Sequence, residues 1–328
     1  MMRFGIVSFA HLHATSYARC LQGMPEARLV AIADDDANRG PATAVRLGVP
    51  WLQDYHDLLA CPDVDAVIVT TPNAQHAEVT IAAARAGKHV LCEKPLATTL
   101  IDGQAMIAAC QEAGVALGTA FPCRYIPAVV RVKEQVNQGR AGKLLAISGT
   151  NHGTMPPGWF LDESLSGGGA VIDHTVHVAD LIRWITGAEF AEVYAEVDTL
   201  LHDVSVEDVG LLSFKLTDGT ICTLDCSWSR LPHFPTWGDV TLSIVGDAGV
   251  VNVDAFNQKI NLYTEEPCTY WVHWGSDMDY LMIQDFAHHV SRGGPPPITG
   301  EDGLRALELA LGAYRSAREK RPVYLPLR

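Results

Sequence analysis

The feature that most constrains this chain is a change of rhythm near residue 120. Before it, short apolar runs alternate with helix-compatible stretches. After it, strand-like runs follow one another with few helices between. The early apolar runs are residues 4–7, 28–33, 64–70, 89–92 and 116–119. Between them lie helical patterns over 14–23, 38–47, 54–60, 76–86 and 98–113, with Gly87 and Gly114 as stops. Strands alternating with helices at this spacing pair in parallel, because each helix carries the chain back across the sheet by a right-handed crossover. The first domain, 1–122, is therefore expected to be α/β with a doubly wound parallel sheet. From 143 onward the runs 143–150, 190–200, 207–216, 220–229, 239–245, 249–253 and 259–264 succeed one another. Asp218-Gly219 is a hairpin signal and Asp247-Ala248-Gly249 a second turn. Helices fit 127–138, 278–291 and 301–319. The second domain, 123–328, is expected to be α+β with a mostly antiparallel open sheet, its final helix free to pack back on the first.

Charge and composition narrow the function. The 328 residues carry a net charge of −14, which disfavours wrapping nucleic acid or docking on anionic lipid. No run approaches the ~20 apolar residues of a membrane span. Met1-Met2-Arg3 enters a strand at once, without a targeting pattern, so a cytoplasmic protein is expected. The eight cysteines (20, 61, 92, 110, 123, 222, 226 and 268) form no C-x-x-C and read as reduced, mostly buried thiols.

In a doubly wound sheet a ligand binds beyond the carboxyl ends of the strands, at the switch point, with its pyrophosphate at the start of the first helix. The turn there, Ser8-Phe9-Ala10-His11-Leu12-His13, has Ser8, Ala10 and His13 where G-x-G-x-x-G would place glycines. Ser8 and Ala10 are small enough to serve in part. His13 is bulky and asks the helix and strand to sit differently. The backbone N–H groups survive these substitutions and are candidate phosphate donors. The second strand ends at Asp34, about 20 residues past the turn, where a carboxylate accepts from both adenosine ribose hydroxyls and repels a 2′-phosphate. That predicts NAD, with NADP disfavoured. Asp35 or Asp36 is expected to cap the next helix.

Further motifs follow in order: Thr71-Pro72-Asn73 with His76, then Gly87-Lys88-His89-Val90 with Glu93-Lys94-Pro95, then CRYIPAV with Arg124, Tyr125 and Pro127. SGGGAVIDHTVHVADLIRW spans 166–184, and the chain ends in GLRALELALGAYRSAREKRPVYLP. In their order and spacing, over nearly the whole chain, these resemble the Gfo/Idh/MocA oxidoreductases. The glycine-poor first turn is the departure. The resemblance implies a Rossmann domain that binds NAD. It places Thr71, Pro72 and Asn73 at the nicotinamide ribose, Glu93 near that ribose or the ring, His76 on the cofactor side, and Arg124 against cofactor or substrate. It also implies a homodimer or homotetramer built through the second sheet.

Oxidising an alcohol needs a hydride acceptor and a base for the hydroxyl proton. Lys94 follows a buried strand and projects over the switch point, where an ammonium can hold the reacting oxygen. Asp173 and His177 stand i, i+4 on one helical face, behind the glycines at 167–169. By spacing alone the three also fit a surface lysine and a capped amphipathic helix with a buried histidine. By resemblance, Lys94, Asp173 and His177 form the substrate-side triad, with His177 as the base. The isomer of the bond before Pro95 is left open. His152 and Trp159, in the aromatic stretch 151–164, are expected to line the substrate, and Trp228, His233 and Trp237 are a second candidate rim. The pattern Asp173-His174-x-x-His177-x-x-Asp180 lacks a distant motif to complete a metal shell, so no metal is expected, and Asp180 is expected to pair nearby, for example with Arg183. The function expected is hydride transfer between nicotinamide and a hydroxyl carbon of a sugar, sugar acid or cyclitol. The same residues would serve a lyase or epimerase that keeps NAD bound, and the missing glycines leave room for a non-enzymatic ligand sensor.

Overall fold

The computed structural model describes residues 1–263 and 269–327. The first elements are β1 Met2–Val7, α1 His13–Gln22, β2 Ala27–Ala33, α2 Arg39–Leu47, β3 Trp51–Leu52 and α3 Tyr55–Ala60. Then come β4 Ala66–Val69, α4 His76–Arg85, β5 His89–Cys92, α5 Leu100–Ala113 and β6 Leu117–Thr119. The six strands form one parallel sheet in the order β3-β2-β1-β4-β5-β6. β4 is buried along its whole length, as a strand covered on both faces must be. The chain reverses direction across the sheet between β1 and β4. There Val7 pairs with Val69, and Val69 with Cys92, so Ser8, Thr70 and Glu93 emerge side by side at the carboxyl ends of three strands.

The remaining elements are α6 Pro127–Asn137, β7 Leu144–Thr154, α7 Glu163–Ser166, α8 Ala170–Thr186, β8 Phe190–Asp198, β9 Val209–Leu216 and β10 Ile221–Arg230. After them come β11 Thr241–Gly246, β12 Val250–Asp254, β13 Lys259–Tyr263, β14 Thr269–His273, α9 Met278–Val290, α10 Gly300–Glu319 and β15 Val323–Tyr324. A seven-stranded open sheet runs β12-β11-β7-β10-β9-β8-β15, antiparallel except where β7 meets β10. Helix α8 covers one face so closely that a Cβ on Gly149 or Gly210 would stand 2.6 Å from Val178 Cγ1 or 2.4 Å from Val171 Cγ2. The opposite face is open, with Leu211, Ile221, Val245 and Val250 exposed.

Two expectations are corrected. Among the described residues the run at 259–263 does not join the large sheet: β13 pairs with β14 in a two-stranded ribbon, and residue 264 lies outside the described residues. The chain also divides into two compact units, Met1–Pro122 with Asp277–Leu304, and Cys123–Ser276 with Arg305–Arg328. Helix α9 thus belongs with the parallel sheet rather than with everything after 122. The reason is packing: Phe286 lies 6.2 Å from the ring of Phe4, and Ser16 Oγ donates to Asp279 Oδ2 at 2.5 Å. Among the described residues seven cysteines are free thiols, all buried but Cys61, while Cys268 lies outside them. No described helix is long and apolar enough to cross a membrane.

Candidate active site

In the parallel-sheet unit the site begins at the turn after β1. Ser8 takes φ = 71°, the left-handed region that glycine enters freely and other residues at a cost of about 1–3 kcal/mol. Its Oγ accepts the Ala10 N–H at 3.1 Å, a local bond that offsets part of the strain. The other donors of the turn also face inward. Phe9 N–H reaches Asp34 Oδ2 at 2.8 Å, His11 N–H reaches Thr70 O at 3.1 Å, and His13 N–H reaches His11 Nδ1 at 3.1 Å.

Beside the turn opens a cavity of about 650 Å³, lined by Ser8, Asp34, Asp35, Tyr55, Thr71 and Gln75 among others. The Thr71 hydroxyl in its wall is buried and has no hydrogen-bond partner among the described residues, a polar position that a ligand can complete. A concave pocket at the switch point with such a hydroxyl fits the adenosine half of a dinucleotide.

Glu93, at the end of β5, is fully buried. Its Oε1 accepts from the Tyr17 hydroxyl and lies 2.9 Å from His13 Nδ1, and its Oε2 accepts the Lys94 N–H at 2.9 Å. Burial alone would raise its pKa. The charges of His11, His13 and Lys94 overcome that and hold the carboxyl well below its ordinary range. Burial likewise opposes a charge on His13, and Glu93 reverses it, raising the imidazole pKa. The ligand atoms of His11, His13 and Glu93 lie within 4.8 Å of one another, close enough to hold a metal ion. Within this cluster His13 Nδ1 meets Glu93 Oε1 at 2.9 Å, and His11 Nδ1 accepts the His13 N–H at 3.1 Å. Lys94 follows, buried, before a cis peptide to Pro95.

The second unit carries a candidate site of its own at the amino end of α8. Glu207 Oε1 accepts the N–H groups of Gly169 at 2.8 Å and Val171 at 3.0 Å, and the Tyr314 hydroxyl accepts that of Ile172 at 3.1 Å while donating to Glu207 at 2.6 Å. A Cβ at Gly168, where φ is 148°, would stand 2.1 Å from that hydroxyl, so the glycine run exists to admit this cap. Past it, Asp173, His174 and His177 are all buried. Trp228 Nε1–H donates to Asp173 Oδ2 at 3.3 Å, and His174 Nε2 lies 3.3 Å from the same oxygen. Trp237 meets the His174 ring edge-on at 5.9 Å.

The comparisons with known proteins agree with this architecture. A sequence profile described as an oxidoreductase family with an NAD-binding Rossmann fold matches residues 2–121, and the GFO/IDH/MocA C-terminal domain matches residues 129–252. The chain is 31% identical to the myo-inositol 2-dehydrogenase of Thermotoga maritima, over 99% of this chain and 98% of that one. It is 31% identical to the 1,5-anhydro-D-fructose reductase of Ensifer adhaerens, over 88% of each. The crystal structure of GenD2 from gentamicin A biosynthesis in complex with NAD superposes with a TM-score of 0.91 at 27% identity, covering 99% of this chain and 97% of that one. The chain belongs to the GFO/IDH/MocA oxidoreductases.

As a member of that NAD-binding family it departs from several sequence expectations. The Asp34 carboxylate is closed off. Besides Phe9 it accepts the Asp36 N–H at 3.0 Å and Arg39 Nε and Nη2 at 2.8 Å each, and its side chain has 0% exposure. His76 is held as a strut, with Nδ1 2.9 Å from Pro95 O and Nε2 3.1 Å from Thr71 O. Glu93 is committed to its own cluster. Arg124 is committed to Asp180, with bonds of 2.7 and 2.5 Å, while Arg183 pairs with Glu189 instead. His152 is the clearest displacement. Gly149 and Gly153 face α8, so alternation along β7 sends His152 to the opposite face of the sheet. There its Nδ1 lies 3.0 Å from Asp239 Oδ2 and its Nε2 3.2 Å from Asp225 Oδ1, and these carboxylates raise its pKa to about 9.

Trp228 lies beneath Asp173 rather than on a rim, and His233 is exposed. Trp159, half-buried in the turn Gly158–Leu161, stacks on Phe160 at 3.9 Å. Within its own unit the structure does bring together Ser8–His13, Asp34, Thr71 and Glu93, and likewise Asp173 and His177. Sequence reasoning missed Arg39, Tyr17, Glu207 and Tyr314, and it weighed His174 only as a metal ligand. Arg39, five residues past Asp34, carried a local signal; Glu207 and Tyr314 carried none.

Proposed function

We propose that this chain transfers a hydride between NAD and a hydroxyl-bearing carbon of a sugar, sugar acid or cyclitol, with Lys94, Asp173 and His177 serving one reaction. The observation that carries this reading is the amino half of α8. A helix that merely packs does not bury a carboxylate and two imidazoles within two turns, as Asp173, His174 and His177 are buried here. The Thermotoga and Ensifer relatives, a cyclitol dehydrogenase and a sugar reductase by name, support the substrate class.

In this proposal the Lys94 ammonium holds the reacting oxygen, Asp173 orients the hydroxyl, and His177 takes its proton. NAD, when bound, accepts the hydride at C4 of its nicotinamide. Thr71, Pro72 and Asn73 hold the cofactor, and Trp159 walls the substrate. The lining of the pocket, with Asp35, Asp54, Asp57 and Glu78, disfavours a 2′-phosphate, so NAD is preferred to NADP. The exposed face of the seven-stranded sheet pairs with a second copy, giving a dimer or tetramer that works in the cytoplasm.

The test is to supply the purified protein with NAD and myo-inositol, then a panel of aldoses, aldonates and other cyclitols, and to follow NADH by its near-ultraviolet absorbance. Sustained NADH release with at least one of them is expected. Tight NAD binding with turnover of a sugar but no NADH release would replace this reading with a lyase or epimerase. No calorimetric binding of NAD or NADP would replace it with a sensor.

A further inference from the structure

His174 belongs to no part of the scheme above, yet its ring is held from four sides. Nδ1 lies 2.9 Å from the carbonyl oxygen of Asn151. Nε2 lies 3.3 Å from Asp173 Oδ2. Trp237 closes one edge. Gly153 makes room on β7, where a Cβ would stand 2.7 Å from Cε1 and 2.9 Å from Nε2.

The proton inventory of this arrangement is decisive. A carbonyl oxygen only accepts, so Nδ1 carries a proton. A neutral ring would then turn the Nε2 lone pair toward a carboxylate lone pair, in a buried place of low dielectric. A proton on Nε2 would turn this 3.3 Å contact into an ion pair with Oδ2. Oδ2 also accepts the Trp228 N–H, a bond that favours the ionised carboxylate and so a proton on the imidazole. Of the titratable groups nearby, Asp173 and His177 are on the same helix, and Cys226 of β10 meets the adjoining Thr175. The residues meeting the ring from β7 and from the segment before β11, namely Asn151, Gly153 and Trp237, bring none.

We propose that His174 is a positioning residue: its imidazolium shares a proton with Asp173, keeps that carboxylate ionised, and fixes the orientation in which it meets the reacting hydroxyl. The kinetic part rests on the function proposed above; the proton sharing does not.

The experiment therefore has two arms. In the free protein, labelled with 15N-histidine, two-bond proton–nitrogen correlation spectra are recorded at pH 7.5, roughly one unit above the ordinary imidazole pKa of about 6.5. The His174 signal is assigned by its loss in His174→Gln. Both ring nitrogens should report protonation, and Asp173→Asn should restore an ordinary neutral ring. A neutral His174 in the parent protein overturns the proposal whatever the substrate is.

The second arm uses the substrate found in the NADH screen. His174→Gln keeps an N–H near the Nε2 position, and His174→Asn keeps one near Nδ1 only. With melting temperature and NAD affinity measured for both, kcat should stay within about 5-fold of the parent in His174→Gln and fall about 100-fold in His174→Asn. Gly153→Ala, which pushes the ring aside without changing its chemistry, should resemble His174→Asn. Equal effects of the Gln and Asn variants, or losses confined to stability, overturn the positioning role. An unproductive NADH screen beside a positive spectrum would count against the proposed function alone.

Discussion

Helices α1 and α8 both begin beside buried polar side chains, and the N–H groups of the segments that lead into them are satisfied from different distances. Around α1 the partners are near in sequence: Ser8 serves Ala10, His11 serves His13, and Asp34 reaches back 25 residues to Phe9. At α8 the partners are remote: Glu207 serves Gly169 across 38 residues, and Tyr314 serves Ile172 across 142. The first solution consumes the turn's own donors and leaves Ser8 in a glycine conformation. The second caps the helix from outside and releases Asp173 and His177 from capping work. A helix start whose caps come from elsewhere can spend its own side chains on chemistry.

If that contrast is sound, the two regions respond differently to the loss of one charge. Asp173→Asn should lower turnover by about 10²–10⁴-fold and cost less stability than the loss of Glu93, because His174 can return to a neutral ring when its partner is gone. Glu93→Gln should do the reverse, costing about 3 kcal/mol of stability because the buried charge beside His13 is lost and an amide NH₂ is turned toward the Lys94 N–H. Denaturant titration beside steady-state kinetics separates the two, and equal effects on both observables in both variants would erase the distinction.

A smaller effect tests the face that α8 does not cover. His152, lifted to about 9 by Asp225 and Asp239, has a folded pKa above its unfolded value of about 6.5. The stability it contributes is complete below pH ~6.5 and is lost as the pH climbs through about 9. His152→Gln should therefore cost about 2 kcal/mol at pH 7 and progressively less toward pH 10. Turnover should be unchanged, against its expected place on the substrate wall. A pH-independent deficit would mean the ion cluster is not its source.

The smallest effect sits at Ser8. Ser8→Ala keeps the left-handed strain and loses the bond to Ala10, for a cost of about 1 kcal/mol. Ser8→Gly relieves the strain, loses the bond and gains unfolded-state entropy, so it should fall within about 0.5 kcal/mol of the parent. Urea midpoints of the three proteins decide whether the turn is held as described.

Much of this was readable from local pattern. The alternation of apolar runs and helices implied the parallel sheet, and Asp218-Gly219 marked the turn between β9 and β10. The i, i+4 spacing put Asp173 and His177 on one face. What escaped was whatever depended on a distant partner. Asp34 had the right position for a ribose, but Arg39 folds back onto it. Arg124 had a family-like setting, yet its guanidinium goes to Asp180 on α8. His152 was misplaced although strand alternation was available, because the side of β7 that α8 covers is known only once the helix is packed.

The chain's own order of residues determined the element types, the sheet of the first unit and the short list of reactive side chains, because periodicity and turn chemistry act over a few residues. Tertiary structure alone decided which of those side chains remain available. A buried charge takes whatever partner the fold brings within about 3 Å, and sequence distance says nothing about which partner that is.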